Sequence, residues 1–134
     1  MEFNKFLTAI IDKGIQACKR DYKRTDQKSI LKGSIAGFEA CRGKNTLELP
    51  QLLDEARKSS NDWTMQSDHK SKKDIDKHWY LRGFVLEVEW VCNVASCALY
   101  NQGLPTIIPP TARGMITASK ILGVKDKKLI QEEI

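Results

Sequence analysis

Apolar residues along this chain recur at spacings of three and four, the period of a helix rather than of a strand. Phe3, Phe6, Leu7, Ile10, Ile11, Ile15, Cys18 and Tyr22 follow that spacing and predict an amphipathic helix over 3–22. Lys19, Arg20, Lys23 and Arg24 load its C-terminal end, where cations complement the helix dipole. A second helix is predicted over 27–43, capped by Thr25 or Asp26 and stopped by Gly43. Ser29, Gly33, Gly37 and Cys41 repeat every fourth residue along it, so one stripe carries only small side chains. A glycine inside a helix costs roughly 1 kcal/mol against alanine, so the stripe implies a compensating close approach. That approach is either the backbone of another helix or a groove for a ligand or partner strand.

Further along, a short third helix is predicted over 48–58, with Pro50 in its first turn. Residues 59–73 are almost wholly polar and predict a mobile loop, with Trp63 and Met65 as its exceptions. Ser71 followed by Asp74 reads as a helix start, and the periodic pattern then runs over 72–101 until Gly103 and Pro105 end it. Thirty helical residues extend about 45 Å. A single domain of this size is about 36 Å across. The helix is therefore expected to bend, at Gly83, or to protrude, or to pack into a second subunit. Residues 104–110 form an apolar connector, a helix is expected over 111–122, and 125–134 is a short helix or a frayed tail. No repeat or second domain interrupts this pattern. The expectation is one helical domain over 1–134, an all-α bundle of five or six helices around the long one.

The long helix is apolar over most of its circumference, which predicts a central position or an oligomer interface. Rotating 100° per residue places His78, Arg82, Glu89, Asn93, Ser96 and Tyr100 on one polar line about 60° wide. That line either faces solvent or lines a pocket, where Arg82, Glu89 and Asn93 would contact a ligand. Glu87 falls inside the apolar arc, beside Phe84, Trp90, Val91 and Val94. A buried carboxylate needs a partner, and Arg42, Arg57 and Arg113 are the candidates. A second candidate site is the run 109–114. Thr111 would cap its helix, Arg113 would stand in the first turn, and Gly114 would allow an anion to approach the free amides.

The 134 residues carry 22 Lys+Arg against 17 Asp+Glu, a formal charge of +5. This balance favours anionic partners: a small molecule such as a nucleotide, a nucleic acid, or an acidic protein surface. Cations cluster at Lys19, Arg20, Lys23, Arg24 and Lys28, and again at Lys70, Lys72, Lys73 and Lys77. Tyr22, Trp63 and Trp79 are the aromatics nearest to them, and a nucleic-acid surface would combine such patches with exposed aromatics for stacking. The four cysteines, Cys18, Cys41, Cys92 and Cys97, form no Cys-x-x-Cys pair and sit in apolar helical positions. They predict a reducing, cytoplasmic setting rather than a disulfide framework. Glu87, Glu89 and Asn93 interrupt the most apolar run, so no membrane span is expected.

Catalytic signatures are missing from the sequence. Glu87 and Glu89 diverge on their helix, as do Asp54 and Glu55, so no paired carboxylates converge on a metal. No nucleophile elbow or triad pattern occurs, and no metal or cofactor is expected. The function expected from the sequence is non-catalytic binding of an anionic ligand or partner. Arg82, Glu89, Asn93, Thr111, Arg113 and Gly114 would make contact, with Glu87 and Arg42 in support, in a homodimer or larger assembly built through the long helix. The rival expectation is a small inhibitor or adaptor, in the style of accessory proteins of phages and mobile elements, with Trp63 and Met65 as contact points.

Overall fold

The computed structural model describes residues 3–22, 28–66, 71–109, 115–118 and 120. Four helices are defined: α1 (Phe3–Tyr22), α2 (Lys28–Cys41), α3 (Glu48–Gln66) and α4 (Lys72–Asn101), with helical residues again at 115–118. The described residues contain no strand.

Local chemistry sets the helix boundaries. Gly43 and Gly103 adopt φ of 73° and 70°, the left-handed region that a residue with a Cβ enters reluctantly. At the end of α4 the Leu104 amide donates to the Leu99 carbonyl at 3.0 Å, and Gly103 donates to Tyr100 at 3.0 Å. These two bonds are the Schellman pattern, which satisfies carbonyls the helix leaves open. At the start of α3 the Asn45 side-chain oxygen accepts from the Leu47 and Glu48 amides, at 2.9 and 2.8 Å. The Glu48 carboxylate accepts from the Asn45 amide at 3.1 Å in return, closing a capping box. Ser71 caps α4 by accepting from the Asp74 amide at 3.1 Å, as its position in the sequence predicts.

The expected loop over 59–73 is corrected in part. α3 continues to Gln66, so Trp63 and Met65 lie on its last turns and not on a loop. Ser59, Ser60, Asn61 and Asp62 are weak helix formers, but tertiary contacts outweigh propensity here. The Trp63 ring reaches the His78 ring of α4, and the Thr64 hydroxyl donates back to the Ser60 carbonyl at 2.8 Å.

The small-residue stripe of α2 is a helix crossing. A Cβ added at Gly33 would collide with the Tyr80 carbonyl, and one at Gly37 would lie 2.6 Å from the Phe84 carbonyl oxygen. From the other side, Gly83 faces the Ile30 carbonyl. Gly83 thus serves the crossing, within a helix assigned without a break over Lys72–Asn101. Gly14 of α1 makes room in the same way for the Phe38 ring.

α4 is the central element. α2 and α3 pack along it most extensively, and α1 packs mainly on α2. Val88, Val91, Cys92, Val94 and Cys97 of α4 join Leu7, Ile10 and Ile11 of α1, Phe38 and Cys41 of α2, and Leu49 and Leu53 of α3 in one core. The apolar girth of α4 is therefore largely covered within a single chain. By length and composition α4 could cross a membrane, and 56 % of its most apolar window is buried inside the fold.

Candidate functional site

Helix direction decides which side chains can meet. Gly33 faces Tyr80 and Gly37 faces Phe84, so both positions advance by four and α2 runs parallel to α4. Gly14 meets Phe38 and Asp12 meets Arg42, so α1 runs antiparallel to α2. Leu49 meets Cys92, Arg57 meets Glu89 and Trp63 meets His78, so α3 runs antiparallel to α4. One end of the bundle consequently gathers the C-termini of α1 and α3 with the N-termini of α2 and α4.

That end is basic and aromatic. Lys19 and Arg20 of α1, Lys28 and Lys32 of α2, and Lys72, Lys73, Lys77 and Arg82 of α4 are all exposed there. Asp21, Asp62, Asp74 and Asp76 are the described carboxylates at the same end, four against eight cations. Asp21 stands 3.9 Å from its neighbour Arg20. The ring centroids of Trp63 and His78 are 6.4 Å apart, and those of His78 and Trp79 are 5.2 Å apart. The Lys77 ammonium stands 5.7 Å from the Trp63 ring centroid, and the Lys28 ammonium 5.1 Å from that of Tyr22. Trp79 and Tyr80 are 40 % and 38 % exposed, large fractions for aromatic side chains.

The polar line of α4 does not converge on one pocket. Arg82 is exposed towards the basic end. Glu89, about 10 Å further along the helix, accepts from Arg57 of α3 at 3.1 Å, in a pair that is half-exposed on both sides. Asn93 is half-buried and accepts from the Cys97 thiol at 3.8 Å. Ser96 is fully buried, and its hydroxyl oxygen accepts from the amides of Ile107 and Ile108 at 3.0 and 2.9 Å. It fastens the chain that follows α4. The line is therefore three environments in succession, and its two central groups are engaged in holding the fold.

Glu87 does lie against the apolar arc, half-buried, and its partner among the described residues is a serine. The Ser34 hydroxyl of α2 donates to it. Burial raises its carboxyl above the ordinary range, and the Ser34 hydrogen bond offsets this in part. The expected support from Arg42 is corrected by the antiparallel α1. Arg42 sits at the opposite end, donating to Asp12 at 2.9 Å and to Glu39 at 2.9 Å. The hydrogen bond from Arg42 holds the Glu39 carboxyl below its usual range. Arg57, the second candidate for Glu87, is spent on Glu89. Arg113, the third, lies with Thr111 and Gly114 outside the described residues.

The four cysteines are free and buried. Burial, the largest cause in each case, raises the thiol of Cys18 to about 11, of Cys41 to about 12 and of Cys92 to about 11. Thiols so shifted stay protonated at neutral pH and are poor nucleophiles. Among the described residues, no three of His, Cys, Asp and Glu stand where they could share a metal ion.

Sequence reasoning identified the two lysine clusters and Trp63 and Trp79, but placed them on separate parts of the chain. It overlooked Lys32, and it treated His78 as part of the polar line. The ring-to-ring contacts of His78 had no signal in the linear pattern beyond its adjacency to Trp79. The fold and this end of it define a small helical bundle with a basic, aromatic pole. No protein-family model, curated protein or solved structure matches the chain.

Proposed function

We propose that this protein is a non-catalytic binding module that receives an anionic partner at the basic, aromatic end of its bundle. The supporting observation is that exposed cations of α1, α2 and α4 lie at the end of the bundle that also carries Trp63, His78 and Trp79. Eight cations against four carboxylates at one end leave a positive excess, which concentrates polyanions and speeds their encounter. The opposite end has a different character, because its Arg42 is neutralised by Asp12 and Glu39. Free, buried cysteines in each of α1, α2 and α4 support a reducing, cytoplasmic setting as part of the same proposal.

Retention on a sulfated-polysaccharide column tests the reading. Lys72→Glu with Lys77→Glu should elute at distinctly lower salt than the parent. Lys5→Glu with Lys13→Glu, which changes the net charge equally on α1 away from this pole, should shift much less. Equal shifts for the two pairs would show that net charge alone governs binding and would sink the assignment to this end.

A second reading, the inhibitor or adaptor that covers a protein surface, draws on Met65, Ile75 and Leu86, which are 86, 43 and 46 % exposed. Apolar anchors beside arginine suit a protein interface. In that case Met65→Ser and Leu86→Ser would weaken partner capture while leaving polyanion retention intact.

A further inference from the structure

Resting on that reading, we infer that the anionic partner is single-stranded nucleic acid, its bases stacking on the ring row of Trp63, His78 and Trp79. The row crosses from α3 to α4 in two steps, with centroids 6.4 and 5.2 Å apart. Cations border it along α4. Lys72 precedes Trp79 by two turns on one face, and Arg82 follows it by three residues on the same face. Lys77 stands over the Trp63 ring, and Lys73 is one turn before it. Aromatic faces between flexible cations are what a single strand uses, since every base offers a π-face and every nucleotide a phosphate. In a duplex the base faces are already stacked, and sequence is read by an element that enters a groove. Here the rings lie on α3 and α4, two helices packed against each other within the bundle. Asp62 beside Trp63, and Asp74 and Asp76 one turn before His78 and Trp79, are described carboxylates close to the row in sequence, and Lys72, Lys73, Lys77 and Arg82 outnumber them.

The experiment is fluorescence anisotropy with the full chain and a labelled single-stranded oligonucleotide of about 16 nucleotides. The same sequence as a duplex and poly-glutamate as a competitor complete the set. The single strand should bind more tightly than the duplex at equal salt, and poly-glutamate should compete poorly. Trp79→Ala should weaken single-strand binding at least about fivefold, and Trp79→Phe should restore most of it. Trp79→Leu, which keeps apolar bulk but offers no ring, should behave like Trp79→Ala and serves if the alanine variant does not fold. Duplex binding as tight as single-strand binding would overturn the inference, as would full affinity in a folded Trp79→Leu protein. Effective competition by poly-glutamate would point to an acidic protein partner instead. In each of these outcomes polyanion retention through Lys72 and Lys77 survives, whereas its loss would overturn the underlying reading as well.

Discussion

Gly33 and Glu87 are each shaped by what stands opposite them. The missing side chain of Gly33 is the space occupied by the Tyr80 carbonyl. Backbone cannot move aside as a flexible side chain can, so Gly33→Ala should destabilise by about 1–3 kcal/mol through overpacking. Urea unfolding measures it, and a variant as stable as the parent would mean that α2 and α4 stand further apart. At Glu87, burial raises the carboxyl above its ordinary value. Between the ordinary and the raised value, the folded protein holds a proton that the unfolded chain has lost. Stability from this group therefore falls as pH rises through that window and is level above it. Glu87→Gln removes the titration and should be more stable than the parent at neutral pH, with a flatter acid-side profile. Ser34→Ala takes away the Ser34 hydrogen bond that offsets the burial in part. It should cost about 1–3 kcal/mol at neutral pH and less in acid, where the carboxyl is protonated. Equal losses at both pH values would show that Ser34 does not serve the carboxylate.

At the scale of elements, two lessons stand apart. The C-terminus of α2 and both ends of α4 were legible because capping chemistry is local: Ser71 before Asp74, and glycines at 43 and 103. The end of α3 was not, because Ser59 to Asp62 favour a loop, whereas contacts such as that of Trp63 with His78 of α4 are long-range. The connector after α4 was expected to be extended and apolar, but its fastening was not foreseen. Ser96 looked like one more member of a polar line, and it proves to be the buried acceptor for two backbone amides. Ser96→Ala would leave both amides without that acceptor, at a cost of about 1–3 kcal/mol. Amide hydrogen exchange should then quicken at Ile107 and Ile108 while α1 keeps its protection. Unchanged exchange at both residues would mean that packing alone holds the connector.

Across the whole molecule the decisive property is the distribution of charge. Lysines some fifty residues apart in the chain share one end, because α2 is parallel to α4 while α1 and α3 run the other way. If polyanion binding occurs there, its salt dependence should report the number of cations engaged, with a slope of about −0.7 per phosphate neutralised on a single strand. Lys72→Glu with Lys77→Glu should make that slope shallower by at least about one unit. A weaker affinity with the slope unchanged would place the contact elsewhere.

The sequence by itself determined the helical class, the span of α1 and α4, the inward placing of the cysteines and the presence of two cationic clusters. Each of these depends on residues within a few turns of one another, through periodicity, capping or composition. Only the tertiary structure decided that the glycine stripe meets backbone, that Glu87 turns to Ser34, that Arg57 and Glu89 join two helices, and that Lys19, Arg20 and Lys28 share a pole with Lys72, Lys73, Lys77 and three aromatic rings. The physical reason is direction. The pattern along a helix says which face is buried, but two helices buried on the same faces can pack parallel or antiparallel. Long-range packing makes that choice, and it determines which surface residues become neighbours.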